Sequence, residues 1–188
     1  GDAELVFDVE DQRRIVRASQ VKRWIACRLE FRGRKRTVMT PRSYTELFFL
    51  DEATAFAAGH RPCAECRNAD FKRFRSLWEA HFGGPAGADD IEAVLHAERL
   101  EGRVKRTNRA DISTLPDGTY VAVDGVARVV WGDKLVAWSD TGYGEAIPRP
   151  AHGPVDMLTP PSIVALFRDG FRPEGHPSLH QRTPDADR

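Results

Sequence analysis

The stretch FFLDEATAFAAGHRPCAECR, residues 48–67, organises the reading of the chain. Its middle, DEATAFAA, predicts a short helix at 51–58, with Asp51 placed as N-cap and Gly59 where a helix ends in a left-handed residue. Directly after that stop come Cys63 and Cys66 in Cys-x-x-Cys spacing. Such a turn lets two sulfurs reach one ion while local amides point at them, which makes half of a thiolate zinc centre. The same spacing also serves redox couples and the zinc motif of nucleobase deaminases, so the rest of the chain has to choose.

Cysteine usage narrows the choice. The 188 residues contain three cysteines, Cys27, Cys63 and Cys66. An odd count leaves one thiol out of any disulfide framework, and a chain of this length can bury a core without staples. No thioredoxin-like βαβ context surrounds the pair, which argues against a redox couple. Cys27 therefore joins Cys63 and Cys66 as an expected zinc ligand. A fourth ligand has to be a histidine, a carboxylate or water: His96 and His60 are the named candidates, although His60 can equally be read as packing. His81 is expected on the apolar face of its helix as a hydrogen-bonded core histidine. The competing reading of the cysteines is a buried apolar pair and an inert Cys27.

The run resembles the second half of the zinc-binding module of Ada-type alkylation-repair proteins. There a strand, a short Ala-rich helix, a glycine, an aromatic residue and Arg-Pro-Cys-x-x-Cys follow one another. Here the match is Phe48–Phe49, Glu52–Ala58, Gly59, Arg61, Pro62, Cys63 and Cys66, within roughly residues 24–67. The resemblance implies a zinc-centred module that contacts DNA, in which one cysteine accepts a methyl group from a phosphotriester. The family's first half supplies two cysteines close together, whereas Cys27 stands alone between Arg23 and Phe31. The four-thiolate site is therefore incomplete, and Cys27 remains a candidate metal-activated nucleophile.

Charge adds a partner class. The net charge is zero, yet residues 11–42 carry +9 and residues 99–109 carry +4, set against acidic blocks elsewhere. If these two basic islands meet in space, they form a face able to neutralise phosphates. The candidate nucleic-acid-binding residues are Arg23, Trp24, Arg28, Arg32, Arg34, Lys35, Arg36, Arg103, Lys105 and Arg106. DNA is the expected partner, with RNA as the alternative. A solvated surface paired with the acidic stretches is the competing reading. A hydrophobic fraction of 41% and a mean hydropathy of −0.47 fit a soluble globular protein. No apolar run is long enough for a membrane span or signal peptide, so a cytoplasmic location without membrane contact is expected.

Periodicity supplies the elements. Phe71, Phe74, Leu77, Trp78 and Phe82 predict an amphipathic helix at about 69–82, and Ile91, Val94 and Leu95 another at about 90–100. CRLEF (27–31) and TELFFL (45–50) read as extended. YVAV, VARVVW and KLVAW, joined by Asp124-Gly125 and Gly132-Asp133, predict a three-stranded meander. Trp131, Trp138 and Tyr143 near its turns suit cross-strand pairs, or a base-stacking platform. LTPPSIVALFRDGF predicts a last helix capped by Thr159 and stopped by Gly170. The expected class is α+β: an Ada-like, zinc-centred part with short strands and helices, then a small antiparallel β meander and a C-terminal helix. The expected division is a basic, zinc-binding part at 1–109, meander plus helix at 110–170, and a poorly ordered tail at 171–188.

His96-Ala97-Glu98 adds an enzymatic option. Zinc deaminases combine a His-x-Glu element with paired cysteines, the glutamate shuttling protons for a metal-bound hydroxide. The order of the two elements is reversed here. On a helical wheel Glu98 falls in the apolar stripe and His96 away from it, so Glu98 requires a partner: a cation, a backbone cap or a metal-bound water. The leading expectation is a zinc-binding, nucleic-acid-binding protein tied to DNA repair or processing. The alternatives are a zinc-dependent hydrolase or deaminase acting on nucleic acid or a nucleobase, with Glu98 as general acid/base, and a structural zinc protein that binds another protein.

Overall fold

The computed structural model describes residues 21–33 and 47–180, together with a short antiparallel pair, β1 (Val6–Phe7) and β2 (Ile15–Arg17). Arg34, Lys35 and Arg36 lie outside the described residues, as does 181–188. The elements that follow are β3 (Ile25–Ala26), α1 (Glu52–Ala57), β4 (Arg61–Pro62), α2 (Asn68–Phe82) and α3 (Ala88–Arg99). A hairpin of β5 (Leu100–Glu101) and β6 (Val104–Lys105) then leads into β7 (Asn108–Asp111). β8 (Tyr120–Val123), β9 (Val126–Trp131), β10 (Lys134–Ser139), β11 (Gly142–Pro148), β12 (Pro154–Met157) and α4 (Pro161–Arg168) complete the order.

The fold is α+β. One six-stranded sheet runs β11-β10-β9-β8-β12-β7, every neighbouring pair antiparallel. Two-residue turns join the three expected strands. Asp124 and Gly125 both have positive φ (51° and 75°), as a type I′ turn requires, and Gly132 has φ 59°. The sheet is twice the expected width because β7, β11 and β12 carry weak strand signals: NRAD is polar, GYGEAIP holds two glycines, and PVDM opens on proline. Neither CRLEF nor the described part of TELFFL is a strand; the local pairing uses Ile25–Ala26 instead, and Phe48–Phe49 is irregular.

The helices pack on one another and on the sheet. Phe56 of α1, Phe74 and Trp78 of α2, Ile91 and Leu95 of α3, and Ile163, Leu166 and Phe167 of α4 form one apolar cluster. On another side of α4, Val164 joins Val121, Val130 and Leu135 of the sheet. Ala53 and Ala57 of α1 pack with Tyr120, Val129, Val136 and Tyr143. Val94 and Phe82 stay exposed at the edges of their helices. His81 is also exposed and pairs through Nδ1 with Asp169 at 2.7 Å, which corrects its expected place in the core.

Carboxylates fix the starts of α1 and α4, and only the first was expected. Asp51 caps α1, its Oδ1 accepting from the Thr54 amide at 2.8 Å. Its Oδ2 accepts from the Tyr143 hydroxyl at 2.6 Å and the His176 amide at 3.0 Å, tying α1 to β11 and to the segment after α4. That segment packs as far as His180: Phe171 and Leu179 are buried, and the Glu174 amide donates to Glu52. Thr159 does not cap α4, since its hydroxyl accepts from the Tyr120 amide. The cap comes from α3, where Glu98 accepts from the Ser162 amide at 3.0 Å and hydroxyl at 2.6 Å.

Candidate metal centre

Cys63 and Cys66 occupy the turn between β4 and α2, where Pro62 ends the extended segment and the Arg67 amide closes on the Cys63 carbonyl at 3.1 Å. Cys27 reaches them through a minimal parallel pairing: the Arg61 amide donates to Trp24 O and the Cys63 amide to Ala26 O, both at 3.1 Å. The three sulfurs consequently lie within 4.8 Å of one another. Cys63 is buried, Cys66 half-buried and Cys27 exposed.

This group can hold a metal ion. Zinc–sulfur bonds of about 2.3 Å at tetrahedral angles put sulfurs about 3.8 Å apart, a spacing that the 4.8 Å bound on this group allows. Backbone donors favour thiolates: the Glu65 amide lies 3.4 Å from Cys63 Sγ and the Arg28 amide 3.3 Å from Cys66 Sγ. A hydrogen bond from the Cys27 thiol, with the Cys66 and Glu65 amides, pulls Cys63 down to about 4 against its burial. The same shared proton pushes Cys27 up, and burial pushes Cys66 up. Metal binding displaces the thiol protons, so its strength rises with pH.

A buried charge network holds the pairing in place. Glu92 of α3, 1% exposed, forms an ion pair with Arg61 Nε at 3.1 Å and accepts hydrogen bonds from an Arg99 nitrogen at 3.2 Å and from the Trp24 amide at 3.2 Å. Arg99, fully buried, also donates to Gly59 O at 2.8 Å and to Lys22 O, and its guanidinium lies 4.1 Å from the Trp24 ring centre. One carboxylate and two guanidiniums therefore clamp the Cys27 segment against the Cys63 turn. The sequence reading placed Arg61 in the Ada-like match and Arg99 in a basic island, and missed Glu92 and the network that joins the three. The signal was available: Glu92 and Arg99 are seven apart, about 20° on a helical wheel, and flank buried Leu95.

The other candidates stand apart from the sulfurs. His60 is wholly buried between Trp24 and Phe49, with ring centroids at 5.2 and 4.6 Å, and burial lowers it well below its ordinary value, so it is a neutral imidazole. His96 is half-buried and also lowered by burial. Neither joins the sulfur group, and Glu98 is engaged with Ser162. Trp24 lies beneath Arg99, and Arg23 makes a two-point pair with Asp89 at 2.9 and 3.0 Å. Arg28, Arg32, Arg103 and Arg106 are exposed. Lys105 is exposed as a residue, but its ammonium donates to Ala57 O at 2.8 Å, and local desolvation there pushes it down to about 8.

Gly59 fits both its turn and its neighbour. Its φ is +87°, and a Cβ would meet Arg99 Cδ at 2.6 Å. Gly59→Ala is expected to lose about 1–3 kcal/mol from the backbone alone, and more from displacing Arg99. Gly170→Ala is the control, having φ +98° and no atom within 4 Å of the added methyl. Urea unfolding of the two variants should show Gly59→Ala as clearly the worse; equal losses would refute the Arg99 contact.

No protein-family model matches the chain, and no solved structure matches it. A search of curated proteins finds similarity to a proline–tRNA ligase of Frankia alni (strain DSM 45986 / CECT 9034 / ACN14a), 40% identical over 65 residues. The match spans 35% of this chain and 14% of that protein. Among the described residues, no helix is long and apolar enough to cross a membrane.

Proposed function

We propose that the protein binds zinc through Cys27, Cys63 and Cys66 and binds nucleic acid in DNA repair or processing, the metal centre holding a basic segment against the fold. The observation that carries the reading is the position of Arg99. This residue opens the second basic island, and its guanidinium grips Lys22 and covers Trp24 in the first, beside the cysteines. Arg28 and Arg32 stand exposed just after Cys27, and Arg103 at the tip of the β5–β6 hairpin. Zinc would fix the start of the Arg28–Arg36 run, because the Arg28 amide already donates to Cys66. The resemblance of residues 48–67 to Ada-type zinc modules favours DNA. The likeness to a protein named as a tRNA ligase keeps RNA as the alternative polyanion.

The test pairs metal analysis with binding measured across salt. One zinc per chain is expected, with duplex DNA affinity falling steeply as salt rises. Arg28→Ala with Arg32→Ala should retain the metal, since the Arg28 amide is kept, and should flatten the log–log salt slope by about 2. A zinc-loaded protein whose DNA and RNA binding is absent or indifferent to salt would sink the nucleic-acid reading.

A further inference from the structure

The donor inventory of the chain extends the zinc reading, on which this inference rests. The sequence contains three cysteines and six histidines, and all nine lie among the described residues. Only the cysteines gather; no histidine and no described carboxylate joins their group. The histidines are placed elsewhere: His60 is enclosed by Trp24 and Phe49, His81 faces Asp169, His176 bonds Ser178, and His180 packs on Trp131. Protein-bound zinc takes four ligands, so thiolate and imidazole donors of this chain leave one position to be filled from elsewhere.

We infer that the chain supplies the ion with three thiolates only, and that the fourth ligand is a small-molecule thiol, bound as its thiolate on the Cys27 side. The side follows from burial. Cys63 is enclosed and Cys66 partly so, each with a backbone amide on its sulfur, whereas Cys27 faces solvent. The class follows from charge and softness. Three thiolates on a dication leave one net negative charge and donate strongly, which makes the ion a weak acidifier of water but a good partner for another soft sulfur. A thiol that coordinates gives up its proton. Arg28 and Arg32, one and five residues beyond Cys27 and both exposed, are cations able to offset the second negative charge it brings.

Cobalt(II) loaded in place of zinc into the full chain tests this. Sulfur-to-cobalt charge-transfer absorbance counts thiolates, and the ligand-field bands report the fourth donor. Titration with 2-mercaptoethanol is expected to raise the charge-transfer intensity saturably by about one third, from three thiolates to four, and to shift the ligand-field bands. Full cobalt loading with a spectrum indifferent to the thiol would overturn the inference and leave the fourth position to water or a carboxylate. Stripping of the metal by the thiol would overturn it as well. A chain that takes up neither cobalt nor zinc would instead overturn the zinc reading itself, so the two failures are distinguishable.

Discussion

Replacing Glu92 by alanine is expected to cost about 3–5 kcal/mol of folding stability, because it strands two buried guanidiniums without a counter-charge. Arg61 and Arg99 both point at this carboxylate, and the Trp24 amide would lose its acceptor too. Burial pushes the Glu92 carboxyl up while the two guanidiniums pull it back, so the network depends on all three members together. Glu92→Gln should fall between the wild type and alanine, retaining hydrogen bonds but no charge. Denaturant unfolding at neutral pH measures both variants. A loss below about 1 kcal/mol for alanine would mean that water reaches these guanidiniums and that the clamp contributes little.

Cys63→Ser is expected to weaken zinc binding by more than about 100-fold. Changes to residues that merely support a ligand cost roughly 10–100-fold, and Cys63 is itself the buried ligand of the three, with the Glu65 amide on its sulfur. Competition against a chromophoric chelator gives the affinity directly. The stability consequence is independent of it: at zinc a thousandfold above its dissociation constant, binding adds about 4 kcal/mol to the wild type. Wild-type Tm should therefore fall on chelation, whereas that of Cys63→Ser should fall much less, since a 100-fold weaker site keeps only about 1.4 kcal/mol of that stabilisation. A wild-type transition unmoved by chelator would sink the metal assignment.

What could be read in advance followed from local rules. α1 with its Asp51 cap, α2 and α3 all show apolar periodicity, and the Asp124-Gly125 and Gly132-Asp133 turns announce themselves through the backbone they require. The approach of Cys27 to the Cys-x-x-Cys turn was legible from residue chemistry, since three thiols in a neutral, disulfide-free context have few other uses. The illegible parts are long-range. β7, β11 and β12 are strands because a sheet edge offers them partners, not because NRAD, GYGEAIP or PVDM favours extension. Glu98 was correctly expected to need a partner on its buried face, yet that partner is the start of α4, 64 residues away. The burial of Arg61, 31 positions before Glu92, shows in no local pattern, because burial of charge depends on a complement that is distant in sequence.

The two-residue contact between β3 and β4 is small, but it closes a long loop. Cys27 and Cys63 lie 36 positions apart, so an ion bridging them removes from the unfolded chain the freedom of a ring of that size. By analogy with a disulfide across such a ring, the entropic stabilisation is on the order of 4 kcal/mol. Cys66 adds almost nothing to it, since the ring it closes with Cys63 is only a turn. The exposed Cys27 is accordingly the residue through which the ion acts as a cross-link, and Cys27→Ser should open the exposed residues just after it, 28–33, to proteolytic nicking while α1, the other helices and the sheet remain folded.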